Sequence, residues 1–131
     1  MSYKVVYNSK CGGFGMSKKG VAEYNRLTSL HVKDYYCIER DDPVLIQLVE
    51  TIGKEIDDEC SRLKIKEFPM KYKSCLKWTE YDGCETVSID YEQYLISNIK
   101  DIKDNTTTSS DEKIERIQEQ YREYDSRPQY G

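Results

Sequence analysis

The chain has one histidine, one tryptophan, two phenylalanines and three prolines, and none of its five cysteines lies in a CxxC pair. A zinc site draws on closely spaced cysteine and histidine ligands, so with only His31 and an odd set of scattered thiols no metal centre is expected. Cys11, Cys37, Cys60, Cys75 and Cys84 read instead as reduced, mostly buried thiols. Long apolar runs are missing too. No stretch approaches the roughly 20 residues of a membrane span, and MSYKVVYNSK lacks the apolar core of a signal peptide, so a cytoplasmic location is expected. A basic excess is also absent: 20 lysines and arginines against 24 aspartates and glutamates leave a net charge of -4. That argues against a surface built to coat nucleic acid, which needs cations to displace counterions from phosphates.

Catalytic patterns fail at identifiable positions. Gly13-Phe14-Gly15 begins a dinucleotide fingerprint, but Lys18 stands where the third glycine belongs. No Walker tripeptide follows a glycine at the required spacing. A phosphatase loop would place an arginine six positions after Cys11, and Ser17 is there. With no second histidine to act as a base, no catalytic residues, no enzyme activity and no cofactor are expected.

What the sequence does hold is a clear succession of elements. Tyr3 to Tyr7, YKVVY, has strand composition, and Ser17 caps a helix whose apolar positions Val21, Tyr24 and Leu27 recur at helical spacing to about Thr28. Tyr35-Tyr36-Cys37-Ile38 reads as a second short strand. Asp42 as N-cap and Pro43 at the first helical position open a helix with Leu45, Leu48, Val49, Ile52 and Ile56 on one face. RLKIKEFP alternates as a strand with one wet face, ending at Pro69. KYKSCLKWTEYDGCETVSID is a hairpin about Asp82-Gly83, which pairs Trp78 with Val87 and Leu76 with Ile89 on one face and Thr79 with Thr86 on the other. This register sets Glu80 opposite Glu85, a like-charge pair that reads either as a solvated tip or as an acidic patch for a cation or basic partner. Tyr91, Leu95, Ile99 and Ile102 form an amphipathic stripe, with strand an alternative for its first residues. A polar linker, residues 103–110, leads to a capping box at Ser109 and Glu112 and to Ile114, Ile117, Tyr121 and Tyr124 at heptad spacing. Two heptads do not stand alone in water, so this segment docks on the domain, pairs with another chain or stays unfolded.

The loop NSKCGGFGMSKKG, residues 8 to 20, carries the one candidate ligand site. Lys10, Lys18 and Lys19 gather where a helix N-terminus disfavours cations, and the N–H groups around Gly12, Gly13 and Gly15 could face an anion. The competing reading is a tight turn with Phe14 as a core anchor. Twelve tyrosines give amphipathic surface suited to partners.

The motifs CGGFGMS, DDPVLIQLVETIGKEI, SRLKIKEFP and EYDGCE, in that order over roughly residues 3 to 90, resemble a group of small uncharacterised proteins of bacteriophages and giant DNA viruses, with the pattern GGFGLS … DP.L...VE.LG … LKIVEIP … EEYDG.E. The chain departs from that group after the hairpin, where a basic, histidine-containing ending is replaced by DYEQYLISNIKDI and a charged extension. The resemblance implies a viral or phage accessory protein. The expectations are an α+β core domain over residues 1–90, with two helices packed on a small, mostly antiparallel sheet, and a helical extension over residues 91–131. The expected function is non-enzymatic binding of a host or viral protein partner in the host cytoplasm. One alternative is sequestration of a small anionic, nucleotide-derived ligand such as a host defence signal at the glycine loop. Another is a structural or assembly role in the virion, with a homo-oligomer formed through the extension.

Overall fold

The computed structural model describes residues 2–127; the expected limits of the core domain at residue 1 and of the extension at residues 128–131 lie outside the described residues. It has four α-helices and two antiparallel sheets of two strands each, an α+β architecture. The chain divides into two compact units. The first runs to Lys73 and includes Trp78–Val87; the second comprises Ser74–Lys77 and the residues from Ser88 onward.

In the first unit β1 (Ser2–Asn8) pairs antiparallel with β2 (Leu63–Pro69), in a register that joins Val6 to Ile65 and Asn8 to Leu63. Val5 and Val6 are consecutive and therefore point to opposite faces, yet both are buried, so β1 is covered on both sides. Helix α1 (Lys18–Thr28) starts at Ser17, whose hydroxyl accepts from Gly20 N, and closes on Ser29 in the left-handed conformation. Helix α2 (Pro43–Ile52) starts at Asp42, whose Oδ1 accepts from Val44 N and Leu45 N, as its Asp-Pro opening leads one to expect. Val6, Met16, Tyr24, Ile38, Leu45, Leu48, Ile56 and Leu63 make one buried cluster drawn from both strands, both helices and the connections between them. Leu27, on the expected helix face, remains 39% exposed, so the stripe of α1 that meets the core is narrower than its spacing suggests. Tyrosines also join the elements through their hydroxyls. Tyr24 donates to Asp42 Oδ2 at 2.7 Å, so a single carboxylate caps α2 and ties α1 to it, and Tyr3 donates to Asp41 Oδ2 at 2.7 Å.

The β3 (Leu76–Tyr81) and β4 (Cys84–Ile89) hairpin turns at Asp82 and Gly83, with φ of 49° and 83°, the positive pair a two-residue turn demands. Thr79 and Thr86 touch through their hydroxyls, as that register predicts. Val87 is buried while Trp78 stays 39% exposed.

In the second unit, α3 (Tyr91–Asp104) begins at Asp90, whose carboxylate accepts from Gln93 N, and α4 (Ser110–Asp125) begins at Ser109, whose hydroxyl accepts from Glu112 N. The stretch from Tyr91 is therefore helical from its first residue, and the strand alternative falls.

Three expectations are corrected. The five thiols are not mostly buried: Cys11, Cys37 and Cys60 are exposed, on a loop or turn where no core reaches them, Cys84 is half-buried and Cys75 is buried. Tyr35–Cys37 is a 3-10 turn, not a strand: the Asp34 carboxylate accepts from Tyr36 N, and Ile38 N returns to Tyr35 O, which coils the segment before it can extend. The single small sheet is in fact two sheets of two strands.

Candidate functional site

The glycine loop leaves β1 at Asn8, a side chain with no exposed surface. Its amide is fully engaged: Nδ2 donates to the carbonyls of Lys10 and Gly83, at 2.7 and 2.8 Å, and Oδ1 accepts from Arg62 N at 2.9 Å and Lys10 N at 3.3 Å. One residue thereby holds the loop, the end of β2 and the tip of the hairpin. The glycines make the same junction sterically. Gly83, at φ +83°, lies so close to the loop backbone that a Cβ there would sit 2.0 Å from Gly13 N. A Cβ on Gly15 would sit 1.9 Å from Asp58 Oδ2. The loop is a place where three segments pass at backbone distance.

That packing engages three of the six residues considered for an anion site, Lys10, Gly12 and Lys19. Gly12 N donates to Asp82 O at 2.7 Å, and Ser17 N to Ile56 O at 2.8 Å. Gly15 O accepts from the buried Ser61 hydroxyl at 2.9 Å. Lys10 Nζ donates to Glu59 O at 3.0 Å, and Lys19 Nζ pairs with Glu55 Oε2 at 2.8 Å, which balances the cation at the start of α1. Lys18 is the lysine left over. It lines a cavity of about 500 Å³ with Met16, Val21, Val32, Lys33 and Tyr35.

Glu85 belongs to neither reading of the hairpin tip. Its Oε1 accepts from Asn8 N at 2.8 Å, and its Oε2 accepts from Arg40 at 2.7 Å, with only 12% of the Glu85 side chain exposed. Arg40 is the cation that a pair of facing glutamates requires, delivered from the connection that leads into α2. Its guanidinium lies over the Phe14 ring, 3.3 Å from the centroid, so the phenylalanine of the glycine loop serves as a floor for a charge as well as packing against the core. Burial lowers the arginine's pKa, and Glu85, Glu80 and Glu39 oppose that shift. It stays charged, since a guanidinium starts far above neutrality. One nitrogen, Nη1, is buried without a hydrogen-bond partner.

Around this pair an aromatic shelf stands open. Phe14 meets Tyr35 edge to face at 5.8 Å, and Tyr35 meets Tyr36 at 4.6 Å. The Tyr35 phenol is pushed up to about 12 by hydrogen bonding with Tyr36 and by burial. With Ile38, Glu39 and Arg40 these rings line a cavity of about 310 Å³, and Tyr36 is 79% exposed at its mouth. The sequence reading missed this shelf because it placed residues 35–38 in a strand. The signal for it was Asp34, two residues before Tyr36, in the position of a side chain that caps a turn.

Among the described residues, no group of three or more histidine, cysteine, aspartate or glutamate side chains is placed to hold a metal ion, and no helix is long and apolar enough to cross a membrane. No protein-family model, no curated protein and no solved structure matches the chain.

Proposed function

We propose that the protein acts by binding rather than by catalysis, as an accessory protein of the phage and giant-virus kind that its motifs resemble, and that it meets a protein partner through the shelf of Phe14, Tyr35 and Tyr36 beside Arg40. The observation that carries this reading is the exposure of Tyr36, 79%, on a 3-10 turn whose start is capped by Asp34. A large ring held in place loses little side-chain entropy on contact, and tyrosine with arginine is the composition from which protein interfaces draw most of their binding energy. The rigidity comes from below: Phe14 is held under Arg40, and Arg40 is held by Glu85. The test is affinity capture from expressing cells with mass spectrometry, comparing the wild type with Tyr36→Ser and with Tyr81→Ser, an equally exposed tyrosine at the hairpin tip. A partner retained by Tyr81→Ser and lost by Tyr36→Ser is the expected result. A capture profile that Tyr36→Ser leaves unchanged overturns the assignment.

A second reading rests on the neighbouring cavity. Lys18 and Lys33 line it together with the apolar Met16, Val21 and Val32, and these two cations outnumber the one carboxylate there, Asp34, which already accepts from Tyr36 N, a combination suited to a small anion with an apolar or aromatic body, such as a nucleotide. Of the six residues considered for an anion site, this version keeps Lys18. Calorimetry against mono- and oligonucleotides should then give a signal that Lys18→Ala with Lys33→Ala removes and Lys10→Ala with Lys19→Ala preserves. The reverse pattern, or no heat with any nucleotide, rejects it.

A further inference from the structure

Of the three exposed cysteines, two stand at one place. β1 and β2 pair in a register whose last step joins Asn8 to Leu63. The ladder ends there, but the segments that continue from it stay side by side. Ser9 N donates to Arg62 O at 2.8 Å, Lys10 Nζ donates to Glu59 O at 3.0 Å, and the Asn8 side chain holds Arg62 N. Counted onward in the same register, Cys11 falls level with Cys60. The packing at Gly12 shows how near they come. A Cβ built on Gly12 would sit 2.9 Å from Cys60 Cβ and 3.4 Å from Cys60 Cα. Cys11 is one peptide from that point, which bounds the separation of the two cysteine α-carbons at about 9 Å. Cys60 is itself presented by a turn at residues 58–61, where its N–H donates to Asp58 Oδ1 at 2.8 Å.

A disulfide asks for α-carbons about 4.4 to 6.8 Å apart, so the loop has at most about 2 Å to travel. Gly12 and Gly13, at φ of 124° and 100°, follow Cys11 without side chains, and the space beside the Gly13 α-carbon is open, so the backbone next to the thiol can adjust. The remaining thiols are placed differently. Cys37 ends the 3-10 turn, Cys75 is buried, and Cys84 is half-buried. We propose that Cys11 and Cys60 are a redox pair, which closes into a reversible disulfide by exchange with a low-molecular-weight disulfide. One cysteine thiolate attacks the small disulfide, forming a mixed disulfide and expelling one small thiol. The other thiolate attacks the protein sulfur of that mixed disulfide, forming the bond between Cys11 and Cys60 and expelling the second. The two cysteines give up two electrons and two protons, and the small disulfide is reduced to two thiols. The bond staples the glycine loop, and with it Phe14 under Arg40, to the turn that leads into β2.

The experiment treats the folded full chain with oxidised glutathione at neutral pH, blocks the remaining thiols with N-ethylmaleimide, and digests with trypsin, which releases Cys11 on CGGFGMSK and Cys60 on EIDDECSR. The expected result is these two peptides joined, at a mass two hydrogens below their sum, from a chain that runs as a single copy on a non-reducing gel. Dithiothreitol should separate them again. Closure should be about tenfold or more faster in the folded chain than in concentrated urea, because the fold supplies the effective concentration. Cys11→Ser and Cys60→Ser should each abolish the joined peptide, and Cys37→Ser should leave its yield unchanged. Glutathione adducts on Cys11 and Cys60 with no link between them overturn the proposal. So does a dominant link from either one to Cys37 or Cys84, a joined peptide found only in a two-chain species, or equal closure rates with and without urea.

Discussion

The two units are stabilised by different means. In the first, side chains with almost no exposed surface, among them Val6, Leu45, Leu48, Ile56 and Asn8, come from segments far apart in sequence, and a buried amide and an ion pair join the loop, the strands and the hairpin tip. In the second, contacts are local, between two helices separated by a five-residue connection, and among its described residues only Cys75 and Leu95 are buried. The first unit closes its own core and spends its surface on an aromatic shelf. The second leaves its surface unfinished. The lesson is that exposed side chains arise differently in the two places: Tyr36 stands out on a turn braced from below by Phe14 and Arg40, whereas Ile114 and Tyr121 stand out because α4 covers only a narrow stripe of itself.

Substitutions should separate the two cases by size of effect. Gly83→Ala should cost the most, about 3 kcal/mol or more, because the new methyl group would occupy the backbone of Gly13 and Gly83 stands at a φ that L residues avoid; urea unfolding gives the value. Glu85→Ala comes next, at roughly 2 to 3 kcal/mol, since it strands the Arg40 charge and Asn8 N together, and the paired change Arg40→Met with Glu85→Met should recover much of that loss. Tyr24→Phe should cost about 1 kcal/mol through the lost hydrogen bond to Asp42. It also carries a pH signature. The Tyr24 phenol is pushed up to about 12 by that bond and by burial, so the fold holds the proton after the unfolded chain has released it at about 10. The stabilisation is whole below about pH 10 and drains away as pH rises towards 12; in melts across that window Tyr24→Phe should fall less steeply than the wild type. Smallest is Asn98→Ala in the second unit, about 0.5 kcal/mol, because a single half-wet hydrogen bond between local helices is all it removes.

Local chemistry was legible in the sequence, and the reason is that its causes are local. Ser17, Asp42 and Ser109 cap helices because a short polar side chain answers N–H groups two or three residues on, and Asp82-Gly83 turns a hairpin because both residues tolerate positive φ. Tyr35 to Ile38 misled because aromatic and β-branched residues favour extension only when a neighbouring strand is present to pair with, while Asp34 acted at once. The Glu80 and Glu85 juxtaposition was visible as a conflict, but its resolution came from Arg40, 45 positions away. The glycines of the loop were read as serving the loop, whereas the spaces beside Gly12 and Gly15 are taken by Cys60 and Asp58, and the hairpin reaches Gly13 through a glycine of its own, Gly83. No local rule connects those positions.

The bond from Asn8 N to Glu85 spans 77 positions, and this sets an order of events while the chain is being made. At translation rates of about 5 to 20 residues per second, β1 waits roughly 4 to 15 seconds before the acid that satisfies its last N–H leaves the ribosome. During that interval the glycine loop has neither the hairpin tip against it nor Arg40 pinned over Phe14. Val6 by then has Tyr24, Ile38, Leu45 and Leu48 to pack against, so what arrives last with the Asp-Gly turn is the brace of the glycine loop and not the cover of the strand.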